Sequence, residues 1–295
     1  MCTVCWGERP TGVVTDRPGD LEPQDIVIVA VKAPALPAIA ENIGSLLHQD
    51  SLVLFVINGI PWWYFHSQGG AMDGTHLQRL DPERVLWSHI GPDRVVGVVA
   101  YTACTVIAPG VIRAENARNR LIIGRPDGRP DQRLDALASL LNPSGLEVTV
   151  TPKIRDAIWA KLLMNLIGGS LGILTASAMK DVLDKPVVAR TAKAMAAEGA
   201  AIARALGCDP GDPEEGLNRL ATSSHLQSIV QDVYAGRPME IDAMFRVPLD
   251  LAELMQVPTP TLDLVLELAT QRARAVGQYR NVNQTNRRSV SCYGR

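Results

Sequence analysis

A change of hydrophobic pattern near residue 152 constrains the fold more than any other feature of the chain. Before it, the short apolar runs DIVIVAVKA (25–33), SLVLFVI (51–57) and LEVTVTP (146–152) are typical of β-strands. Segments with helical spacing, such as LPAIAENIGSLLH (36–48), lie between them. After residue 152 only helical patterns follow. The alternation predicts a doubly wound parallel sheet, and the second part predicts an all-helical domain.

The sequence therefore predicts two domains and a tail. Residues 1–150 are expected to form an α/β domain, residues 151–280 a helical domain, and residues 281–295, which are polar and basic, a disordered tail. In the first domain, DIVIVAV is expected to be a strand covered on both faces. Residues 111–114 and 120–124 are expected to form a hairpin.

Five long helical segments are expected in the second domain. They are residues 153–177, 186–206, 213–235, 239–256 and 259–277. The most apolar stretch, residues 162–179, contains Asn165 and three glycines, so we interpret it as a buried helix of this domain and not as a membrane span.

Composition excludes several classes of partner. With 29 basic and 31 acidic residues the net charge is -2, which does not favour nucleic acid or an anionic membrane. Five scattered cysteines do not form a disulfide framework, and the first twenty residues lack an apolar signal segment, so we expect a cytoplasmic protein. Cys2 and Cys5 form a C-x-x-C without a second pair, and no metal site is expected.

Polar residues follow two of the predicted strands. Lys32 ends the first, and Asn58-Gly59 ends the second. Ligands of open parallel sheets bind beyond the carboxyl ends of the strands, so both are candidates for a cleft. The alternatives are a solvated lysine and an ordinary Asn-Gly turn. The aromatic run of residues 62–65 fits either a pocket wall or simple packing, and packing is the commoner role.

Lys161 and Asn165 are the most informative pair in the helical part. They are four residues apart and share one helix face, among apolar neighbours. Burying a lysine charge is costly, so one interpretation is that Lys161 is kept in this apolar segment because it has a function. The other is that its side chain extends along the apolar surface and its ammonium group reaches water. The pattern alone leaves both open.

A last constellation lies in SIVQDVYAGRPMEID (228–242). Ser228 is expected late in one helix and Glu240 in the first turn of the next. Glu240 is either a carboxylate favoured by the helix dipole or a carboxylate that faces the cleft and pairs with Lys161.

Taken together, these stretches resemble the ketopantoate reductase (2-dehydropantoate 2-reductase) family. The similarity runs from about residue 22 to 279, and W-x-K-x-x-x-N and HLQSIVQD followed by Glu240 are its most specific parts. It implies a Rossmann-like N-terminal domain and a helical domain of the 6-phosphogluconate dehydrogenase C-terminal type. It also implies reduction of 2-dehydropantoate to pantoate by NADPH, in pantothenate and coenzyme A biosynthesis.

The resemblance also implies roles for single residues. Lys161 would be the general acid, and Glu240 would hold Lys161 and contact the cofactor ribose. Asn165 and Ser228 would bind substrate oxygens. Asn58 would lie between nicotinamide and substrate, and Lys32 near the cofactor. A small 2-oxo acid is the expected partner, with a homodimer as a further expectation.

The sequence departs from the family at two points. No G-x-G-x-x-G precedes DIVIVAV, and the first 24 residues are too short for a β-α-β unit. We therefore expect an incomplete, N-terminally truncated Rossmann domain with an exposed edge at DIVIVAV, unless the true start lies upstream. Gly169 and Ser170 also stand where the family has Asn-Pro. Alternatives are thus a reductase of another 2-oxo acid, or a catalytically silent remnant that serves binding or dimerisation.

Overall fold

The structure is a computed structural model that describes residues 12–109, 111–114 and 118–280. The predicted tail at 281–295 and the pair Cys2 and Cys5 lie outside these residues. The described chain forms two compact units. The first contains the sheet, and the second contains the helical part.

A five-stranded mixed sheet forms the centre of the first unit. The strands are, in spatial order, β1 (Gln24–Val29), β2 (Leu47–Phe55), β3 (Val95–Tyr101), β6 (Asn119–Gly124) and β7 (Leu146–Val150). The β2/β1, β2/β3 and β6/β7 pairs are parallel, whereas β3 and β6 are antiparallel.

The first strand differs from its prediction. Among the described residues β1 pairs with β2 alone, so it lies at the edge of the sheet. Its apolar side chains are not covered on both faces: Ile28 is 55% exposed and Ile26 is 36% exposed. The expectation of burial was therefore wrong, because an apolar run records β-propensity but not the position of a strand in the sheet. The position of β1 at the edge of the sheet agrees with the expectation of an exposed edge at DIVIVAV.

The predicted hairpin was also wrong. Residues 111–114, which form β5 (Val111–Ala114), pair antiparallel with β4 (Cys104–Ala108) in a separate two-stranded sheet. Residues 120–124 belong instead to β6 and join the main sheet. Two neighbouring apolar runs suggested a local pairing, whereas the long-range pairing with β3 buries Ile123.

Three helices accompany this sheet. They are α1 (Leu36–Gly44), α2 (Val85–His89) and α3 (Gln132–Leu141). The Asp131 side chain caps α3 by accepting from the Arg133 N–H at 3.1 Å. One core cluster joins α3 to the strands; its buried members are Leu52, Leu54, Val96, Val98, Ile123, Leu134, Leu137, Ala138 and Val148.

The second unit is helical. Its helices are α4 (Ile154–Thr175), α5 (Met179–Val182), α6 (Pro186–Ala205), α7 (Pro213–Thr222), α8 (Ser228–Ala235), α9 (Val247–Leu254) and α10 (Pro260–Ala275), with a π-helical turn at Asp242–Arg246. The predicted helix at 213–235 is two helices, so Ser228 begins α8 and does not lie late in a helix. Glu240 precedes the π-helical turn and lies outside it.

Helix α4 is the central helix of this unit. It runs without a break through Gly168 and Gly169. A Cβ at Gly172 would lie 2.5 Å from Val230 Cγ2, so glycine permits the close approach of α8. Among the described residues α4 alone is long and apolar enough to cross a bilayer, and 67% of its apolar window is buried within the protein. A core helix has the same composition.

The two units do not follow the chain as two continuous halves. Residues 32–34 and 58–84 belong to the second unit together with residues 155–280, although the sequence analysis assigned them to the first domain. The segments that follow β1 and β2 are thus packed with the helices.

The core of the first unit gives a direct test of the fold. Leu54 is 1% exposed in the core cluster, so Leu54→Ala should lower the free energy of unfolding by about 2–5 kcal/mol through lost burial and a cavity. Leu140, 73% exposed on α3, is the control, and Leu140→Ala should change it by less than about 0.5 kcal/mol. Urea denaturation of both variants measures this. Equal losses would contradict the assigned core.

Candidate active site

A chain of hydrogen bonds links Lys161, Asn58 and Glu240 in the second unit. The Lys161 ammonium donates to Asn58 Oδ1 at 2.8 Å. Asn58 Nδ2 donates to Glu240 Oε2 at 3.4 Å. The amide therefore connects the lysine to the carboxylate, with its oxygen toward the cation and its nitrogen toward the anion. Three residues that the sequence singled out separately are brought together.

Glu240 also holds the segment that follows β1. Its second oxygen, Oε1, accepts from the Ala33 N–H at 3.2 Å. Glu240 is 6% exposed. Burial raises its pKa, while the Ala33 N–H, the Asn58 amide and the Lys32 charge oppose the rise and Asp232 adds to it. The carboxylate is thus one junction between residues 32–34 and the Asn58 turn.

Lys32 is bound by the chain around α8. Its ammonium forms an ion pair with Asp232, a buried residue of α8, and donates to the Pro238 carbonyl at 3.1 Å. Asp232 also accepts from Arg237 Nε at 2.9 Å. Two cations therefore share one buried carboxylate beside Glu240.

The environment of Lys161 changes its basicity. Burial lowers the pKa of Lys161 to about 8 from an ordinary value of 10.5, and the negative charge of Glu240 opposes this effect. A lysine with a pKa near the operating pH is suited to proton transfer. The Lys161 ammonium is hydrogen-bonded to an amide and the residue is half-buried, which favours a role in the site over a lysine whose head merely reaches water.

Asn165 and Ser228 are placed less decisively. Asn165 lies one turn beyond Lys161 on α4 and is half-buried, and its amide makes no hydrogen bond to the residues described. Ser228 is exposed at the start of α8. No hydrogen bond in the described part of the chain joins either of them to Lys161, Asn58 or Glu240, so their roles stay predictions.

The aromatic run after Asn58 is packing. Trp62, Trp63, Tyr64 and Phe65 are each 1% exposed or less. The Tyr64 hydroxyl accepts from Trp159 Nε1 of α4 at 2.7 Å, and burial raises its pKa well above the ordinary value. Arg155 Nε donates to the Tyr64 carbonyl at 2.7 Å. The run thereby anchors the Asn58 turn to the helix that carries Lys161.

Comparison with known proteins identifies the family of the chain. A family model described as ketopantoate reductase PanE/ApbA matches residues 8–128, and its C-terminal counterpart matches residues 153–273. A 2-dehydropantoate 2-reductase of Mesorhizobium japonicum is 37% identical over 262 residues, which is 88% of this chain and 80% of that protein. The chain belongs to the ketopantoate reductase family.

Solved structures show the same fold. A candidate ketopantoate reductase from Ralstonia solanacearum MolK2 superposes with a TM-score of 0.83 at 34% identity, covering 90% of this chain and 81% of that one. A D-mandelate dehydrogenase, solved with NADH and anilino(oxo)acetate, superposes with a TM-score of 0.73 at 18% identity, covering 89% and 80%. The Rossmann-like and helical fold class expected from the sequence is confirmed.

Two contributors to the site were missed by sequence analysis. Asp232, which pairs with Lys32, lies within the family-like SIVQD pattern and one helical turn after Ser228, a spacing that could have drawn attention to it. The Ala33 N–H left no signal in the sequence, because a backbone donor is independent of residue type.

Gly59 tests how tightly the Asn58 turn is held. Its φ is +82°, and a Cβ there would overlap the Ala243 carbonyl group. We expect Gly59→Ala to lower the free energy of unfolding by at least about 1–3 kcal/mol from backbone strain, with a further loss from the overlap. Gly74→Ala is the matched control, because Gly74 has a φ of +71° with no atom within 4 Å of the added Cβ. Thermal and urea unfolding compare the two, and an equal effect would show that the overlap is relieved without cost.

Proposed function

We propose that this protein is an NADPH-dependent reductase of 2-dehydropantoate, forming pantoate by hydride transfer to the keto carbon. The single observation that carries the proposal is the hydrogen-bonded chain Lys161–Asn58–Glu240 in a member of the ketopantoate reductase family. These three hydrogen-bonded side chains supply a proton donor, a neutral amide and a buried carboxylate next to one another. A metabolic enzyme of the cytoplasm is part of the proposal.

Lys161 acts as the general acid. Reduction of a ketone leaves a negative charge on its oxygen, and an ammonium stabilises that charge while it delivers the proton. Asn58 orients the ammonium by accepting one of its three N–H groups. Asn165, on the same helix face, is available to bind another substrate oxygen.

The residues present fit the nicotinamide and ribose end of a pyridine nucleotide. Each Glu240 oxygen accepts one protein hydrogen bond and retains a second lone pair for a ribose hydroxyl. Lys32 keeps 36% of its side chain exposed and offers a cation at the same place. When bound, NADPH supplies the hydride. The 295 residues contain no G-x-G-x-x-G, so we assign no residues to the pyrophosphate.

The 2-oxo acid itself is the open part of the proposal. A Cβ at Gly169, where the family has asparagine, would meet apolar atoms of Ile229, Met244 and Phe245 at 3.3–3.5 Å. No amide of α4 is therefore offered to the distal hydroxyl of 2-dehydropantoate at this position. This supports, as the second candidate, a 2-oxo acid with an apolar side chain.

Cofactor and substrate titrations separate the three possibilities. We expect micromolar NADPH binding by fluorescence and NADPH oxidation with 2-dehydropantoate in a panel that includes pyruvate, 2-oxoisovalerate and phenylglyoxylate. A preference for the apolar acids would move the proposal to the second candidate. A folded protein that binds neither NADPH nor NADH would be the catalytically silent relative. Sedimentation of the same sample tests the expected homodimer.

Replacing the proton donor should abolish most turnover. Lys161→Ala should lower kcat by roughly 100-fold or more, as expected when a general acid is lost. Lys180→Ala removes an exposed lysine of α5 and should retain wild-type kcat. Steady-state kinetics with saturating NADPH measures both, and near-normal turnover of Lys161→Ala would exclude this residue as the acid.

The pH dependence follows from the low pKa of Lys161. The ammonium is the active form, so kcat/KM should be constant at lower pH and fall as the pH rises through about 8. Glu240 raises the pKa of Lys161 by its charge; Glu240→Gln should therefore move the fall to lower pH. Stopped-flow kinetics from about pH 6 to 10 measures the pH at which kcat/KM falls in the wild type and in Glu240→Gln. A fall that stays at the same pH in Glu240→Gln would contradict the electrostatic link.

A further inference from the structure

The helix that follows Glu240 begins with an irregular turn. Residues Asp242–Arg246 are π-helical, and the Val247 N–H donates to the Asp242 carbonyl, five residues earlier. In an α-helix this N–H would donate to Ala243. The π-helical turn therefore takes the normal donor away from the Ala243 carbonyl. Such turns are rare in proteins, and those that occur are often found at functional sites.

Pro248 removes the other donor within the helix. In the π-helical register the Ala243 carbonyl would accept from residue 248, five positions later. Residue 248 is proline, which is buried at the start of α9 and has no N–H. A proline also clashes with the carbonyl four residues earlier, and a wider π-helical turn relieves that clash.

The Ala243 carbonyl is used by the Asn58 turn instead. It accepts from the Ile60 N–H at 2.9 Å. Gly59, which lacks a Cβ, lets the chain lie against the same carbonyl. Ile60 is fully buried, so an unsatisfied N–H there would be costly. Residues 58–60 are thus fixed to a carbonyl that has lost its own helical partners.

We propose that Pro248 is a positioning residue for the reaction, which frees the Ala243 carbonyl to hold Gly59 and Ile60 and thereby sets Asn58 against Lys161. The inference rests on the proposed function only for its kinetic consequence. Pro248 acts indirectly, through the π-helical turn, the Ile60 hydrogen bond and the Asn58 amide.

Replacing Pro248 with any other residue adds one backbone hydrogen-bond donor at position 248. Pro248→Ala supplies an N–H, allows the α-helical register to return Val247 to Ala243, and competes with Ile60 for that carbonyl. Pro248→Ser supplies the same N–H with a different side chain, so the two variants separate the donor from packing effects. Pro213→Ala is the control, because Pro213 begins α7 as an ordinary N-terminal helix proline.

Two readouts need no catalysis. Amide hydrogen exchange should show Ile60 protected in the wild type and in Pro213→Ala, and exchanging at least about 10-fold faster in both Pro248 variants. In lysine labelled with ¹³C at Cε, the Lys161 titration should move down by about one unit as its Asn58 acceptor is displaced. Lys161→Ala assigns the resonance.

Kinetics completes the test. With the proposed reaction, kcat of the Pro248 variants should fall by roughly 10- to 100-fold, with KM nearly unchanged, because a slightly misplaced acid slows the chemical step. Unchanged Ile60 exchange in both variants would overturn the proposal whatever their activity. Faster exchange with an unchanged Lys161 titration would overturn the link from Ile60 to Lys161. Absence of turnover in the wild type would count against the proposed function and leave the first two readouts decisive.

Discussion

The candidate site depends on the two hydrogen bonds that the Asn58 carboxamide makes. Its oxygen accepts from Lys161 and its nitrogen donates to Glu240, so one neutral group satisfies a buried cation and a buried anion. Each of these charges would be costly to bury without a partner. The surrounding structure serves to keep the amide in place: the Ala243 carbonyl, the absent Cβ of Gly59 and the buried aromatic run all act on the same turn.

A neutral link between the two charges has a chemical advantage. Opposite charges about 4 Å apart interact by roughly 4 kcal/mol at an effective dielectric of 20, which would hold a lysine firmly protonated. With an amide in between, burial outweighs the attraction and the pKa of Lys161 is lowered to about 8. The lysine then remains a cation at neutral pH. The same amide fixes its direction.

The sequence predicted the two-part architecture and several site residues, for reasons that differ. Lys161 was found because a cation in an apolar helix is conspicuous, and Asn58 because it ends a buried strand. The burial of β1 and the pairing of residues 111–114 were mispredicted, since the exposure of a strand and its choice of partner depend on parts of the chain distant in sequence. The contact between the Ile60 N–H and the Ala243 carbonyl could not be read from the pattern, because it joins backbone groups of residues far apart in the chain.

The division of the chain into units has a further consequence. The segments 32–34 and 58–84 are packed with the helices, although they are connected in sequence to strands of the other unit. Lys161, Asn58 and Glu240 are therefore all members of one compact body. Their mutual distances are internal to that body. The hydrogen bonds that join the three residues are therefore made entirely within the second unit.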